Sequence, residues 1–224
     1  MAHGESGALF EIFGIGVTSH MTTMAAITVG LGLVSYFATR NMKTVPAGLQ
    51  NVMETIVEKL ENFFSGVIGA KEARTFLPFL GTMFLFIMLS NYSGLLPMAG
   101  SIPGLAAPTS ILSVTVGLAI TTFLVTHFSG FKRNKLGYFR HFISPMVIML
   151  PFAIIEEIVR PISLSLRLYG NIFGEETVAH EIFQMIPILV PLPFLALGVL
   201  FGALQALVFT MLSSIYIKGA VGGH

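Results

Sequence analysis

With 224 residues, 54% of them hydrophobic and 10% charged, and a mean hydropathy of +0.84, the chain lies far from the roughly 25% charged residues of a soluble domain, and lipid is its main solvent. Zero cysteines exclude disulfides, thiolate nucleophiles and cysteine metal sites, and no metal or cofactor is expected. A net charge of +1 with scattered basic residues excludes a nucleic-acid footprint.

The N-terminal run MAHGESGALFEIFGIG lacks a basic n-region, so no cleaved signal peptide is expected. The first apolar span is placed at 17–38. Over 48–69 the pattern changes: Leu49, Val52, Met53, Ile56, Val57, Leu60, Phe63, Phe64, Val67 and Ile68 recur at helical spacing, opposite Glu54, Glu58, Lys59, Glu61 and Asn62. This is an amphipathic helix, lying either on the cytoplasmic interface or against its own bundle. Spans at 76–96 and 109–128 follow. The final apolar tract is interrupted by Pro187, Pro191 and Pro193, which divides it into helices at 142–180 and 190–217. At about 1.5 Å per residue the first of these exceeds the roughly 30 Å hydrocarbon core. It must tilt strongly, kink at Pro145, Pro151 or Pro161, or extend past the bilayer. The expected fold is an all-α integral membrane protein, one membrane domain over 1–224, with about five transmembrane helices plus the amphipathic helix, the last two helices long and strongly tilted. No internal repeat is visible, which counts against the duplicated architecture of many secondary transporters.

Orientation follows from the basic residues. Arg40, Lys43, Lys59, Lys71 and Arg74 lie between spans one and two, Lys132, Arg133, Lys135 and Arg140 between three and four, and Lys218 after five. The N-terminal segment, 97–108 and 181–190 carry none. This alternation puts the N-terminus outside and the C-terminus in the cytoplasm.

Two arginines remain, Arg160 and Arg167, both inside a span. A charge at a helix centre costs about 2.5 to 3.5 kcal/mol on insertion scales, so such a residue is a functional hypothesis by default. Arg160 has Glu156 at i−4 and Glu157 at i−3, and a local ion pair accounts for it. Around Arg167 the same positions hold Ser163, Leu164, Gly170 and Asn171. Its ionic partner must come from elsewhere on its own long helix, from the turn beyond, or from another subunit. At 100° per residue Glu156, Arg160, Ser163, Arg167, Asn171 and Gly174 share one stripe, which needs a polar surface or water opposite it unless it is buried in a closed bundle. Gly170 and Gly174 would let another helix approach. Toward the outer side come Glu175, Glu176, His180 and Glu181. Carboxylates beside an imidazole can pass protons, although Glu176 and His180 are also an ordinary i, i+4 pair. Glu176 projects nearly opposite Arg167 on a straight helix and would serve a different compartment. Gln205, in FGALQALVF, is expected to bond a neighbouring helix.

The run RPISLSLRLYGNIFGEE resembles the signature of subunit a of F-type ATP synthases, SNYSGLLP resembles that family's second-span motif, and ALQALVF its final-span motif. The resemblance covers nearly the whole chain. It implies a non-catalytic, multi-pass subunit of a bacterial cytoplasmic membrane, working with a ring of c subunits, peripheral-stalk b subunits and the rest of an ATP synthase, and translocating an ion, the proton being expected. It implies that Arg167 faces the ion-binding carboxylate of each passing c subunit. Asn171 and Glu176 match polar positions of an outer half-channel, with Glu175 and His180 beside them, and Gln205 matches a glutamine lying near the arginine. Ser163, Glu156 and Glu157 continue the pathway inward, while Asn91, Gly94 and Pro97 of the second-span motif, with Gly170 and Gly174, serve packing. Family members often carry a carboxylate where this chain has Ala153, and Asp and Asn where it has Ile111 and Ser113.

Two other classes make different demands on the same residues. A self-contained channel or transporter would also need an intramembrane arginine, but should move ions alone. An intramembrane hydrolase would need a nucleophile facing a base, and Ser163 and Ser165 have no histidine near them in their span, His127 being the mid-chain candidate. Proton and sodium ion both fit, because the selecting carboxylate would belong to the partner.

Overall fold

The computed structural model describes residues 10–12, 15–96, 104–134, 150–185 and 191–222. The described elements are strands β1 (Phe10–Ile12) and β2 (Ile15–Val17), then helices α1 (Ser19–Thr39), α2 (Leu49–Ile68), α3 (Ala70–Gly94), α4 (Leu112–Asn134), α5 (Leu150–Met185) and α6 (Pro191–Val221), with a 3-10 turn at Pro108–Ser110. Helices α3, α4, α5 and α6 supply one core, from Met83 and Ile87 through Ala119, Leu164, Leu168 and Ile172 to Phe209. A second core joins Phe64 and Ile68 of α2 to Ala73 and Leu80 of α3 and Ile217 of α6.

Several buried hydroxyls of this bundle are satisfied by their own helices. Thr115, Thr122, Thr210, Ser213 and Ser214 are buried and donate to carbonyls three or four residues back, so no donor faces hydrocarbon unpaired at these positions. Helix α1 buries little beyond Thr23 and Ala38. It is tied instead by hydrogen bonds from the Thr22 and Thr23 hydroxyls to the Gly104 carbonyl and from the Ala106 N–H to Thr23. Gly104 has φ +96°, open to glycine at little cost. Gly69, at φ +92°, is the single residue between α2 and α3.

Helix α2 answers both halves of its amphipathic reading. Its C-terminal half packs inward through Phe64 and Ile68, and its N-terminal half leaves Leu49, Val52 and Val57 exposed. Several boundaries differ from the hydropathy reading. A short antiparallel pair, Phe10 opposite Val17, precedes α1, so Val17 belongs to a strand and not to the first span. Helix α3 starts at Ala70, six residues before 76, because its first turns are helical but charged, with Arg74 bonded to Glu61 and Glu72 to Arg133. The third span does not begin at 109: Pro108, Thr109 and Ser110 form the 3-10 turn, and α4 runs from Leu112 to Asn134.

Helix α5 continues five residues past 180 and passes through Pro161 unbroken. Residues 142–149, with Pro145, lie outside the described residues, as do Pro97 and Pro187. Among the described residues four helices are long and apolar enough to cross a membrane: Ser19–Thr39, Ala70–Gly94, Leu112–Arg133 and Pro193–Val221. At 36 residues α5 is long enough. Its seven charged residues, Glu156, Glu157, Arg160, Arg167, Glu175, Glu176 and Glu181, keep it outside that apolar class.

Candidate functional site

Helix α5 is rotated so that Leu164, Ser165, Leu168 and Ile172 are buried while Ser163, Leu166, Arg167, Gly170 and Asn171 are exposed. Among the described residues no carboxylate pairs with Arg167 and no hydrogen bond satisfies its guanidinium. Gly170 and Gly174 face open space, since a methyl group built on either meets nothing within 4 Å. Ile162, Leu166 and Phe173 flank them as exposed apolar side chains. An unpaired guanidinium on an apolar, glycine-notched helix face is an incomplete arrangement, because a permanent cation next to lipid needs a counter-charge or water.

From Arg167 toward the Met185 end of α5 the polar groups converge on α6. Asn171 donates through Nδ2 to Gln205 Oε1 at 2.7 Å. Gln205 is 4% exposed, and its Nε2 is buried without a partner among the described residues. One turn on, the Glu175 carboxylate lodges against Gly198, where any side chain would collide with it. Its Oε1 is buried and without a partner among the described residues. Asn171, Gly174 and Glu175 line one wall of a cavity of about 410 Å³, and Leu95, Phe194 and Gly198 line the other. Buried unpaired polar atoms beside a space that holds many waters mark where water belongs.

Glu176 points elsewhere. Its carboxylate lies near the Ser110 hydroxyl and the Ala107 N–H and close to Gly94, which also abuts Ala107. The two adjacent glutamates therefore serve different spaces, Glu175 the cavity between α5 and α6, Glu176 the turn before α4. Glu181 is exposed, and the His180 side chain is outside the described residues. Asn91 binds this end together: buried to 2%, it donates to the Gly202 carbonyl at 2.9 Å and accepts from Thr109 at 2.8 Å.

Toward the other end of α5, Arg160 donates to Glu156 at 2.6 Å and Glu157 at 2.9 Å, the local pairing its spacing predicts. Glu157 also faces His127 Nε2 at 3.6 Å, and the Arg160 guanidinium lies 5.1 Å from the Tyr216 ring centre. At about 1.5 Å per residue, Arg167 stands about 15 Å from Glu157 and about 12 Å from Glu175 along the axis. Two polar clusters thus flank one unpaired arginine. Sequence reasoning missed Gly198, His127 and Tyr216 as members of these clusters. For Gly198 a signal existed, since Gly198 and Gly202 are four apart on α6, a spacing of small residues that admits close neighbours.

The family model described as ATP synthase A chain matches residues 19–218. The chain is 40% identical over 225 residues to a protein of Moorella thermoacetica (strain ATCC 39073 / JCM 9320) named ATP synthase subunit a, with 100% of each chain covered.

Proposed function

Because this chain belongs to the ATP synthase A chain family, we propose that it is the proton-translocating stator subunit of a rotary F-type ATP synthase, with five spans, the N-terminus outside and the C-terminus in the cytoplasm of a bacterial inner membrane. Helix α5 is then the fifth, charged span, tilted with α6 against a ring of c subunits, and peripheral-stalk b subunits hold the chain still. The observation that carries this reading is Arg167, exposed and without an ionic partner among the described residues, on a face notched by Gly170 and open at Gly174.

A guanidinium about 4 Å from a carboxylate stabilises the ionised form by about 4 kcal/mol at an effective dielectric of about 20. A loaded, neutral carboxylate arriving on the ring releases its proton near Arg167, passes it, and reloads from the other side. The cavity of about 410 Å³ supports an outer half-channel ending at Asn171, Glu175 and Gln205; Glu176 joins this outer route from the turn before α4, and His180 is assigned to it by the family resemblance alone. Ser163, Glu156 and Glu157 belong to the inner route. The fixed charge also repels a proton crossing directly between the two, which would dissipate about 2.3 kcal/mol per 100 mV without turning the ring. Asn91 holds α3 to α6, Gly94 admits Ala107 at close range, the family resemblance gives Pro97 a packing role as well, and the subunit performs no bond chemistry itself.

Imaging the assembled complex tests the assignment. A carboxylate of a ring subunit should come within about 4 Å of the Arg167 guanidinium at one rotary position. If Arg167 instead faced lipid, or a carboxylate of its own chain, at every position, the reading would fail.

A further inference from the structure

Helix α2 carries a lysine that neither the ion path nor the packing of the bundle uses. Lys59 is exposed, and among the described residues no carboxylate pairs with it and no hydrogen bond engages its ammonium. Its neighbours three and four residues away are Thr55, Ile56, Asn62 and Phe63, so no acid stands beside it on its own helix face. At 100° per residue Lys59 falls on the border of the apolar face. Val52, Ile56 and Phe63 lie within about 60° on one side, while Glu54, Glu58 and Glu61 lie about 100° or more away on the other. Two of those acids are already engaged, Glu61 by Arg74 at 2.6 Å and Glu54 by Gln50 at 2.7 Å.

Lys59 borders a cavity of about 290 Å³ whose other walls include Ile56 and Phe63 of α2, Phe84 of α3, and Leu207 and Thr210 of α6. Phe84, Leu207 and Thr210 belong to helices long and apolar enough to cross a membrane, so the space joins the amphipathic helix to the spans. The Thr210 hydroxyl is spent on the Ala206 carbonyl at 2.9 Å, which leaves Lys59 as the one free polar side chain among the described lining residues. Water does not suit such a space, because a trapped water needs two or more polar partners. The volume is nearly twice the roughly 150 Å³ that takes up a benzene-sized molecule. A helix of another subunit, about 10 to 12 Å across with its side chains, does not enter it, whereas a flexible alkyl chain does. Leu49 and Val52, exposed on the same side of α2, extend an apolar track from the cavity toward the start of the helix.

We propose that this cavity holds an acyl chain of one anionic phospholipid, whose phosphate pairs with Lys59, with the exposed Asn62 amide one turn on as a second donor. The acyl chain is held by dispersion against Phe63, Phe84 and Leu207, since moving from bulk lipid into an apolar cavity brings little hydrophobic gain. Selectivity therefore falls to the headgroup, where a lysine at a membrane surface favours an anionic lipid over a zwitterionic one. A lipid seated this way fastens α2 to α3 and α6, and it does so independently of any proton path.

In the test, the full-length chain in detergent is offered equal amounts of phosphatidylglycerol and phosphatidylcholine with the same acyl chains, and native mass spectrometry reads what it retains. Wild type should keep one phosphatidylglycerol per chain with about a fivefold preference. Lys59→Gln should bring the two lipids to parity. Leu207→Phe keeps every charge but fills part of the cavity, and should lower retention of both lipids. Because the chain has no tryptophan, Phe63→Trp supplies a single fluorophore on the cavity wall. In bilayers, brominated phosphatidylglycerol should quench it more strongly than brominated phosphatidylcholine, a reading that carries the test where Leu207→Phe does not fold. Retention or quenching without preference for the anionic lipid, an undiminished preference in Lys59→Gln, or wild-type retention in Leu207→Phe overturns the site. So does loss of the lipid in the assembled complex, which would assign the cavity to a partner's side chain. None of these outcomes touches the proposed function, which rests on Arg167.

Discussion

Gln205 is a glutamine that the fold has buried before its bonding is complete. Its Oε1 accepts from Asn171 at 2.7 Å, while its Nε2 is buried and unpartnered among the described residues. Asn171 is exposed and can turn to water. The two ends of this bond therefore respond differently to removal. Asn171→Ala leaves the whole buried amide unpaired and should cost about 1 to 3 kcal/mol. Gln205→Leu removes the buried amide altogether and should be nearly neutral, because replacing a buried polar group by an apolar one of similar shape strands nothing. The double variant should be more stable than Asn171→Ala alone, with a coupling of about 0.6 to 1.7 kcal/mol, the range of hydrogen bonds between membrane helices. Unfolding of the purified chain in mixed micelles, followed by helical circular dichroism, measures all four proteins. Destabilisations that simply add, with the double variant as unstable as the sum, would refute the claim that this bond joins α5 to α6.

Two alanine substitutions on facing helices should separate a closed contact from an open one. At Gly198 an added methyl collides with the Glu175 carboxylate and with Leu95. Gly198→Ala should therefore displace Glu175 from the cavity and slow proton flux in the assembled membrane sector, whereas unchanged flux would remove Glu175 from the outer route. At Gly170 nothing lies within 4 Å, so Gly170→Ala should stabilise the isolated chain by up to about 1 kcal/mol through helix propensity yet impair the complex, where a ring helix passes close. Equal behaviour in both settings would count against a partner on that face.

How much of this was legible in the sequence depends on the distance over which each feature is determined. Arg160 could be paired with Glu156 and Glu157 because a helix sets three- and four-residue neighbours by itself. The face of α2 was legible for the same reason, and Arg167 stood out because no carboxylate lies within its own turn. That Gln205 would bond another helix followed from the cost of a lone amide in an apolar span. Its partner did not, because pairing residues 34 apart requires the register of α5 on α6. Asn91 with Gly202, His127 with Glu157 and Glu175 with Gly198 are cases of that kind. Hydropathy also misplaced helix ends, since it reports where lipid is tolerated and not where the backbone is helical. Thus α3 begins in a charged turn at Ala70, and Thr109, apolar enough to open a span, is spent on Asn91.

The central claim is that Arg167 is completed by a carboxylate on a moving partner, and that its planar, permanently charged fork matters to the exchange. Arg167→Lys keeps the charge and removes the fork. ATP synthesis driven by an imposed proton gradient, in complexes shown to be fully assembled, is the measurement that bears on this most directly. Coupled synthesis should be lost in that variant, and synthesis near the wild-type rate would contradict the account.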